Sequence, residues 1–344
     1  MSQSSIEPLK RPLFTVLVVT RNEENYIERL LERLVNQDFP NDNYEILIVD
    51  GMSSDNTLQI AKRYKKESSP RVDVFINEKK TLPPGWNIGI KEAKGRYILR
   101  IDGHTEVDEG FLIKYEEMIK KEPNATCVGG IIESKGKGFQ GEVNEYVYSH
   151  PFGVGKSKFR TLKKDWQGYV DTVPYGAYKR EIFEEVGYFN EDLKRNEDIE
   201  FHKRIQKAGG RFFLSTNIRS TYFVRDSMKG LIEKSFNDGL WSMVANRVTP
   251  GSLSKLKLLP LFAFLLGVLL IVLSFFNMMY LYILGGLFIL YILLTFVVSI
   301  QLSIEKGFKY LGLSMLTFFC LHFFRGLGSF LAFFHRKFWT IRDY

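Results

Sequence analysis

Residues 14–25 read FTVLVVTRNEEN, an apolar and β-branched run that changes to polar residues after Val19. A continuous apolar run of this length is typical of a strand buried on both faces of a parallel sheet. Residues 44–57, YEILIVDGMSSDNT, repeat the pattern, with Asp50 at the change. Between the two runs, apolar residues recur at helical spacing over 27–35. This stretch therefore predicts a strand over 14–20, a helix and a second parallel strand over 44–50.

The same alternation continues to residue 102. VDVFINE (72–78) reads as a third strand, and a short helix that ends at Gly95 follows a Pro-Pro-Gly turn. RYILRID (96–102) reads as a fourth strand. Strands that alternate with helices predict an α/β fold with a Rossmann-like, mostly parallel sheet and right-handed crossovers.

Polar residues stand at the end of each predicted strand. In open parallel sheets the ligand lies at the carboxyl ends of the strands, so these residues are expected to face one crevice. They are Thr20-Arg21-Asn22-Glu23, Asp50, Asn77-Glu78 and Asp102-Gly103-His104.

Asp102 and His104 are the candidate metal ligands. A carboxylate and a neutral imidazole suit Mn²⁺ or Mg²⁺ that is also held by a diphosphate. The alternative is a plain Asp-Gly turn with an exposed histidine. Asp50 has a similar pair of interpretations, because its carboxylate could accept a hydrogen bond from a base or a ribose, or could cap a turn.

Glu197 and Asp198 open a predicted helix within RNEDIEF (195–201). An acid pair there can supply a general base for an acceptor hydroxyl, or it can simply compensate the helix dipole. We interpret His150 and His202 as structural. No Gly-x-Gly-x-x-Gly follows the first predicted strand, and the sequence has no Walker or Gly-x-Ser-x-Gly motif, which argues against classical dinucleotide binding, P-loop hydrolysis and serine hydrolysis.

The C-terminal part has the composition of a membrane region. No charged side chain occurs between Lys257 and Glu305. Two spans are predicted, at 258–276 and 279–300. A third is predicted at 311–334, which Arg325 and His322 interrupt, and the alternative is that this segment is re-entrant or lies in the interface. The predicted organisation is an N-terminal tail (1–12), a catalytic domain (13–226), an amphipathic interfacial segment (227–255), the membrane region (256–334) and a basic tail (335–344).

The net charge is +8 at pH 7, with the basic residues scattered and no arginine-rich arm. Beside a membrane region this charge suits anionic lipid headgroups and a phosphate-bearing substrate, or it is an ordinary solvated surface, and no nucleic acid is expected. MSQSSIEPLKRPLF (1–14) has no apolar stretch typical of a signal peptide, so we expect the head on the cytoplasmic side of the cell membrane.

Six motifs in order give the chain a family resemblance. VVTRNEE, VDGMSSDNT, WNIGIKEAKGRYILRIDGH and RNEDIEF resemble the family 2 glycosyltransferases of GT-A fold. FGVGKSKFR and VDTVPYGAYKREIF are similar to the succinoglycan-biosynthesis branch of that family. The resemblance covers roughly residues 12–247, and the apolar tail is also similar.

The resemblance implies roles for particular residues. Asp198 would be the catalytic base beside Glu197, and Asp102 with His104 would hold a divalent cation and the donor diphosphate. His104 departs from the acid that is commoner at its position. The implied donor-binding residues are Thr20, Asn22, Glu23, Glu24, Asp50, Asn87 and Asp102.

The implied reaction is inverting transfer of one sugar from a nucleotide-diphosphate sugar, expected to be a UDP-hexose. The expected acceptor is a lipid-linked saccharide. The Gln-x-x-Arg-Trp motif of processive members is absent from the sequence, which favours single-sugar transfer. The alternatives are direct glycosylation of a membrane lipid and a non-catalytic nucleotide-sugar-binding subunit of a membrane assembly.

Overall fold

The computed structural model describes residues 11–342. The predicted N-terminal tail therefore lies almost wholly outside the described residues, as do the last two residues of the predicted basic tail. The first part of the chain alternates strands and helices as predicted. These elements are β1 (Phe14–Thr20), α1 (Ile27–Val35), β2 (Tyr44–Asp50), α2 (Thr57–Glu67), β3 (Arg71–Ile76), α3 (Leu82–Glu92) and β4 (Tyr97–Asp102).

The second part of the head is less regular. Residues 111–121 form a helix, and the glycine-rich and basic stretch 149–160 folds into two short helices. The elements are β5 (Thr105–Glu106), α4 (Phe111–Lys121), β6 (Cys127–Lys135), α5 (Gly138–Ser149), α6 (Pro151–Val154), α7 (Lys158–Thr161), β7 (Gln167–Val170), β8 (Ala177–Lys179), α8 (Ile182–Glu185), α9 (Glu197–Lys207) and β9 (Phe212–Phe223).

All nine described strands form one sheet. Its order is β3-β2-β1-β4-β8-β6-β9-β5, with β7 also paired to β9. The first four strands are parallel, whereas the short β8 is antiparallel to both β4 and β6. Strands β6 and β9 are again parallel. The predicted mostly parallel α/β sheet is confirmed.

Helices cover both faces of this sheet because alternate residues of the buried strands point to opposite sides. Val16 and Val18 of β1 belong to a core with α1, α2 and α4. Leu17 and Val19 of the same strand belong to a second core with α3, α8 and α9. The two cores fix the strand ends from both sides.

Within residues 11–342, three helical stretches are long and apolar enough to cross a membrane: Lys255–Ser274, Met279–Lys306 and Tyr310–Phe334. They comprise a 3-10 turn (Lys255–Leu258), α11 (Leu259–Ser274), α12 (Met279–Lys306), α13 (Tyr310–Leu331) and a second 3-10 turn (Ala332–Phe334). The two predicted spans, 258–276 and 279–300, fall on the first two stretches. A short helix, α14 (Arg336–Thr340), follows.

The third apolar helix differs from the first two in its surroundings. Its most apolar window is 44% buried inside the protein, against 11% for each of the others. Helix α13 packs along α10 (Met228–Val248) and also touches α5, where Gln140 Nε2 lies 3.3 Å from Thr317 Oγ1. Its crossing of the bilayer stays a prediction.

Helix α10 is the core of the predicted amphipathic segment, but it is buried on more than one side. Leu240, Trp241, Val244 and Ala245 pack in a cluster with the head and with the C-terminal helices. Small residues bring α10 and α13 together, since a Cβ on Gly239 would lie 2.2 Å from a backbone oxygen of α13. This burial pattern differs from that of a one-sided surface helix, and the interfacial location stays a prediction.

Candidate active site

The predicted polar strand ends meet at one edge of the sheet. Thr20 pairs with Asp50 in the parallel register of β1 and β2, and Val19 pairs with Asp102 in that of β1 and β4. The backbone N–H of Asn77 donates to the carbonyl of Asp50 at 2.8 Å. The register of three strand pairs therefore brings the ends of β1 to β4 to the same edge of the sheet.

Asp50 is fully buried and anchors the loop that follows β2. Its carboxylate accepts hydrogen bonds from the Ser53 backbone N–H at 2.9 Å and from the Ser53 hydroxyl at 2.6 Å. This is the turn-capping geometry of the alternative interpretation. The predicted contact between Asp50 and the donor base stays a prediction.

The residues after β1 interlock with the same loop. Asn22, in a left-handed conformation with φ 55°, accepts at Oδ1 a hydrogen bond from the Ser54 backbone N–H at 2.9 Å. Glu24 Oε2 accepts from the Asn56 backbone N–H at 3.1 Å and from its side-chain amide at 3.0 Å. These contacts hold the segment after β1, which includes Asn22 and Glu24, against the loop after β2.

Gly103 allows β4 to approach β1 closely at this edge. A Cβ on Gly103 would lie 2.7 Å from Thr20 Oγ1 and 3.1 Å from Thr20 Cβ. The Thr20 hydroxyl is buried and has no hydrogen-bond partner among the described protein atoms. Since buried polar groups nearly always have a hydrogen-bond partner, an oxygen of a bound ligand would supply the partner that the Thr20 hydroxyl lacks.

The candidate metal ligands have defined neighbours. His104 Nδ1 lies 3.1 Å from Glu23 Oε1, and the Tyr175 hydroxyl donates to Asp102 Oδ2 at 3.4 Å. Burial works against a charged imidazole, but the hydrogen bond with Glu23 and the charge of Asp102 outweigh it and raise the pKa of His104. The predicted donor residue Glu23 thus acts directly on the predicted metal ligand.

Asp102 and His104 would provide only two protein ligands for a metal ion. Over residues 11–342, no group of three or more His, Cys, Asp or Glu side chains is arranged to hold a metal ion. Mn²⁺ and Mg²⁺ commonly combine one or two protein ligands with phosphate oxygens and water. The pair therefore fits such an ion when a diphosphate provides further ligands, and it does not resemble a closed protein-only metal site.

Asn87 has a different setting from the other predicted donor-binding residues. It is buried in α3, and its amide nitrogen donates to the Phe189 carbonyl at 2.9 Å and to Glu191 Oε1 at 3.0 Å. Its amide oxygen accepts from the Phe189 N–H at 2.9 Å. Asn87 therefore holds the segment 189–191 to α3, and its contact with the donor stays a prediction.

The acid pair lies at the first turn of α9. Asn196 precedes it in a left-handed conformation with φ 58°. Asp198 Oδ1 accepts from the Ile199 backbone N–H at 2.8 Å. Burial, with the nearby charge of Asp198, raises the pKa of Glu197 to about 7. The two neighbouring acids are therefore unlike in environment, since Glu197 is buried and Asp198 is partly exposed.

Arg100 is a site residue that sequence reasoning missed. It lies on β4 with its guanidinium 4.3 Å from the Trp86 ring and 4.7 Å from the Phe189 ring, and Nη2 is 3.6 Å from Glu197 Oε1. The charges of Glu197, Asp198 and Asp102 all act on it. Arg100 therefore lies on the strand that ends at Asp102 and contacts the acid pair through Glu197. The sequence feature that could have indicated it is a single cation within the otherwise apolar part of YILRID (97–102).

The two histidines interpreted as structural have structural contacts. His202 lies between the Thr172 and Tyr178 hydroxyls, at 2.7 and 2.6 Å, and burial lowers its pKa to about 3. His150 accepts at Nδ1 a hydrogen bond from the Phe152 N–H at 3.1 Å and caps α6.

Comparison with known proteins decides the family. The family model described as "Glycosyl transferase family 2" matches residues 15–187, which include β1 to β8 and the candidate metal ligands. The chain belongs to glycosyl transferase family 2. It is a glycosyltransferase, and the resemblance inferred from its motifs is confirmed.

Two curated relatives extend the similarity beyond the matched region. One is a dolichyl N-acetyl-α-D-glucosaminyl phosphate 3-β-D-2,3-diacetamido-2,3-dideoxy-β-D-glucuronosyltransferase from Methanococcus voltae, 32% identical over 91% of this chain and 96% of the relative. The other is the succinoglycan biosynthesis protein ExoA from Rhizobium meliloti, 27% identical over 71% of this chain and 74% of the relative.

Solved structures of GT-A glycosyltransferases share the fold. A mannosyltransferase from Pyrobaculum calidifontis, in complex with GDP-Man and Mn²⁺, aligns with a TM-score of 0.61 at 16% identity, over 94% of this chain and 91% of that one. TarS 1–349 from S. aureus, in complex with UDP-GlcNAc, aligns with a TM-score of 0.50 at 22% identity, over 65% and 66% of the two chains. The GT-A fold is thereby confirmed.

Proposed function

We propose that the protein transfers a single sugar from a nucleotide-diphosphate sugar to a lipid-linked saccharide, with inversion at the anomeric carbon. One observation supports this proposal: Arg100 on β4 lies with Nη2 3.6 Å from Glu197 Oε1, so the acid pair that opens α9 is close to the strand that ends at Asp102. A donor-diphosphate site and a general base are thereby adjacent parts of one crevice.

Asp198 acts as the base in this scheme. Its carboxylate accepts the proton of the acceptor hydroxyl, and the hydroxyl oxygen forms a bond to the anomeric carbon of the donor sugar. On the opposite face the bond from that carbon to the diphosphate oxygen breaks, and the nucleoside diphosphate leaves with the electron pair. The products are the extended glycoside and the free nucleotide.

Glu197 has a different role from Asp198 because Glu197 is buried and Asp198 is partly exposed. A buried carboxyl group with a pKa of about 7 keeps its proton over much of the neutral range. A protonated Glu197 adds no negative charge beside Asp198 and keeps Arg100 in contact with the start of α9. Glu197 therefore supports Asp198 as a positioning residue.

Asp102 and His104 would hold Mn²⁺ or Mg²⁺ together with the donor diphosphate. The ion, when bound, would neutralise charge that develops on the leaving diphosphate. Glu23 orients the His104 ring through the 3.1 Å contact at Nδ1, and Tyr175 hydrogen-bonds Asp102. The P. calidifontis mannosyltransferase was solved with Mn²⁺, which supports a divalent cation for this chain as well.

The lipid-linked acceptor is supported by the M. voltae relative, which is named for its action on a dolichyl phosphate sugar. The apolar helices beside the head favour an acceptor that stays in the bilayer. Lys306 and Lys309 follow the second apolar stretch and favour a cytoplasmic location for the head. A UDP-hexose remains our expected donor, since TarS was solved with UDP-GlcNAc.

A donor panel tests the proposal. The full-length protein in detergent is incubated with UDP- and GDP-linked sugars and membrane lipid extract, and release of nucleoside diphosphate is measured. Lipid-dependent release with one donor and a sugar-bearing acceptor supports the proposal. Transfer to a lipid without a saccharide would favour direct lipid glycosylation, and no release with any donor would favour a non-catalytic binding subunit.

A further inference from the structure

A cluster of charges lies where the head meets the apolar helices. Asp238 of α10 accepts a hydrogen bond from Arg195 at 2.8 Å and one from Lys234 at 2.8 Å, and Arg325 Nη2 lies 3.9 Å from its Oδ2. Burial works against the charged carboxylate, but these three cations outweigh it and lower the pKa of Asp238 to about 2. One carboxylate therefore balances three cations.

Arg325 is unusual because it lies within the third apolar helix. An ionisable side chain in such a segment is costly and by default marks a function, with its partner to be identified. Its distance to Asp238 is the longest of the three ion pairs, and its side chain is 22% exposed. The guanidinium is therefore only partly neutralised by the protein.

Lys257 adds a further cation on the turn that leads into α11. It has no ion-pair partner within 4.0 Å among the described residues. The chain just after this turn packs against α13 next to Arg325, since a Cβ on Gly326 would lie 2.4 Å from the Pro260 carbonyl oxygen. The charges of Asp198 and Arg160 also act on Lys257. Lys257 therefore brings positive charge from the membrane side of the molecule towards the proposed catalytic base.

Arg160 completes the group from the head. Its guanidinium lies 5.4 Å from the Tyr222 ring and 3.4 Å from the Ser134 hydroxyl, and no carboxylate pairs with it in the described part of the chain. The Tyr222 ring is also 5.3 Å from the His104 ring. Arg160 and His104 thus both neighbour the Tyr222 ring, and the charge of Arg160 also acts on Lys257.

We propose that Lys257, Arg160 and Arg325 form an anion site that binds the phosphate by which the acceptor saccharide is attached to its lipid. The proposal rests on the proposed function, since the acceptor hydroxyl must reach Asp198 and its phosphate must lie nearby. Arg and Lys side chains bind phosphate through charge-assisted hydrogen bonds. The lipid chain would leave this site along the apolar helices, from which Lys257 and Arg325 come.

Binding of a phosphate lipid without any transfer tests the site. Farnesyl phosphate and the neutral control farnesol are titrated by calorimetry into the full-length protein in neutral detergent. The variants are Lys257→Gln and Arg160→Gln, with Lys255→Gln on the same turn as the matched control. Arg325 is left unchanged because it also lies 3.9 Å from Asp238, so its substitution would alter that charge cluster as well.

The expected result is that wild type prefers farnesyl phosphate to farnesol, and that Lys257→Gln and Arg160→Gln each weaken its binding roughly tenfold or more. Binding should be unchanged in Lys255→Gln. Equal affinity for the phosphate and the alcohol, or wild-type affinity in Lys257→Gln, would overturn the proposal. So would an equal loss in Lys255→Gln, which would indicate general surface charge.

Two further titrations identify other sources of phosphate. Weakened UDP binding in Lys257→Gln would assign the cations to the donor diphosphate. Loss of binding to phosphatidylglycerol vesicles, with farnesyl phosphate binding intact, would assign them to bilayer headgroups. Either outcome contradicts the acceptor site. If the donor panel gives no turnover but farnesyl phosphate still binds through Lys257, the proposed function fails while the anion site stands.

Discussion

Arg195 and Asp238 join the segment just before the predicted acid pair to helix α10 through a 2.8 Å contact between Nη1 and Oδ1. The next residue, Asn196, donates from its side chain to the Asp238 carbonyl at 3.2 Å and to the Ser242 hydroxyl at 3.0 Å. Glu197 and Asp198 follow directly. The acid pair is therefore held by α10 as well as by its own helix.

This link predicts that Asp238→Asn lowers kcat about tenfold while the donor KM stays near that of wild type. Small displacements of a reacting group can reduce rates by one to two orders of magnitude. Steady-state kinetics at saturating acceptor measure the effect, and Glu233→Gln on an exposed part of the same helix is the control. A rise in donor KM with unchanged kcat would contradict a role of Asp238 in positioning the acid pair.

Asp198→Asn should lower kcat by about two to four orders of magnitude, because it removes the proposed general base. Binding of the donor, measured by titration with UDP, should persist. Glu197→Gln is the matched variant, and at pH 6 to 7 it should retain activity within about tenfold, since an amide resembles the protonated acid. Normal turnover by Asp198→Asn would exclude Asp198 as the base.

The raised pKa of Glu197 predicts how stability changes with pH. The folded state binds this proton more tightly than the unfolded chain, whose carboxyl keeps the ordinary value of 4.5. The stabilisation is therefore complete below pH 4.5 and is lost as the pH rises towards about 7. Tm measured between pH 4.5 and 8 should fall less in Glu197→Gln than in wild type. An equal change of Tm with pH in the two proteins would contradict a raised pKa of Glu197.

Gly103→Ala should disturb the strand-end edge, because the new Cβ would lie 2.7 Å from Thr20 Oγ1. Overpacking of this kind costs about 1–3 kcal/mol, and we expect donor binding to weaken roughly tenfold. Gly110→Ala is the control, since its Cβ would meet nothing closer than 3.7 Å. Titration with UDP compares the two variants, and equal affinities would argue against close packing at this edge as a requirement for donor binding.

Chelation tests the divalent cation. EDTA should abolish transfer, and added Mn²⁺ or Mg²⁺ should restore it, because Asp102 and His104 would hold the donor diphosphate through the ion. His104→Asp should keep metal-dependent activity and alter which of the two ions activates better. Full activity in chelator would remove the metal role of both residues.

The sequence predicted the first strands closely, because each is a continuous apolar run with an abrupt polar end. The bounds 14–20 and 44–50 match β1 and β2. Strand β3 ends at Ile76, before the predicted 78, since Asn77 already belongs to the turn and bonds the Asp50 carbonyl. Local patterns of this kind need no knowledge of distant contacts.

The features that sequence reasoning missed depend on residues far apart in the chain. Asn87 belongs to a motif expected to bind the donor, but the segment at Phe189 occupies its amide group. Arg325 interrupts the third predicted span, and its carboxylate partner on α10 could not be read from the sequence. The burial of α10 likewise requires α13 to be in place.

The close approach of Gly239 to α13 means that the catalytic head and the apolar region share one hydrophobic core. A fragment cut after α10 would leave Leu240, Trp241 and Val244 without their covering helices. Such a fragment should aggregate or lose its acid-pair geometry even in detergent. The apolar helices of this glycosyltransferase therefore cover α10 and, through it, support the segment that carries the predicted acid pair.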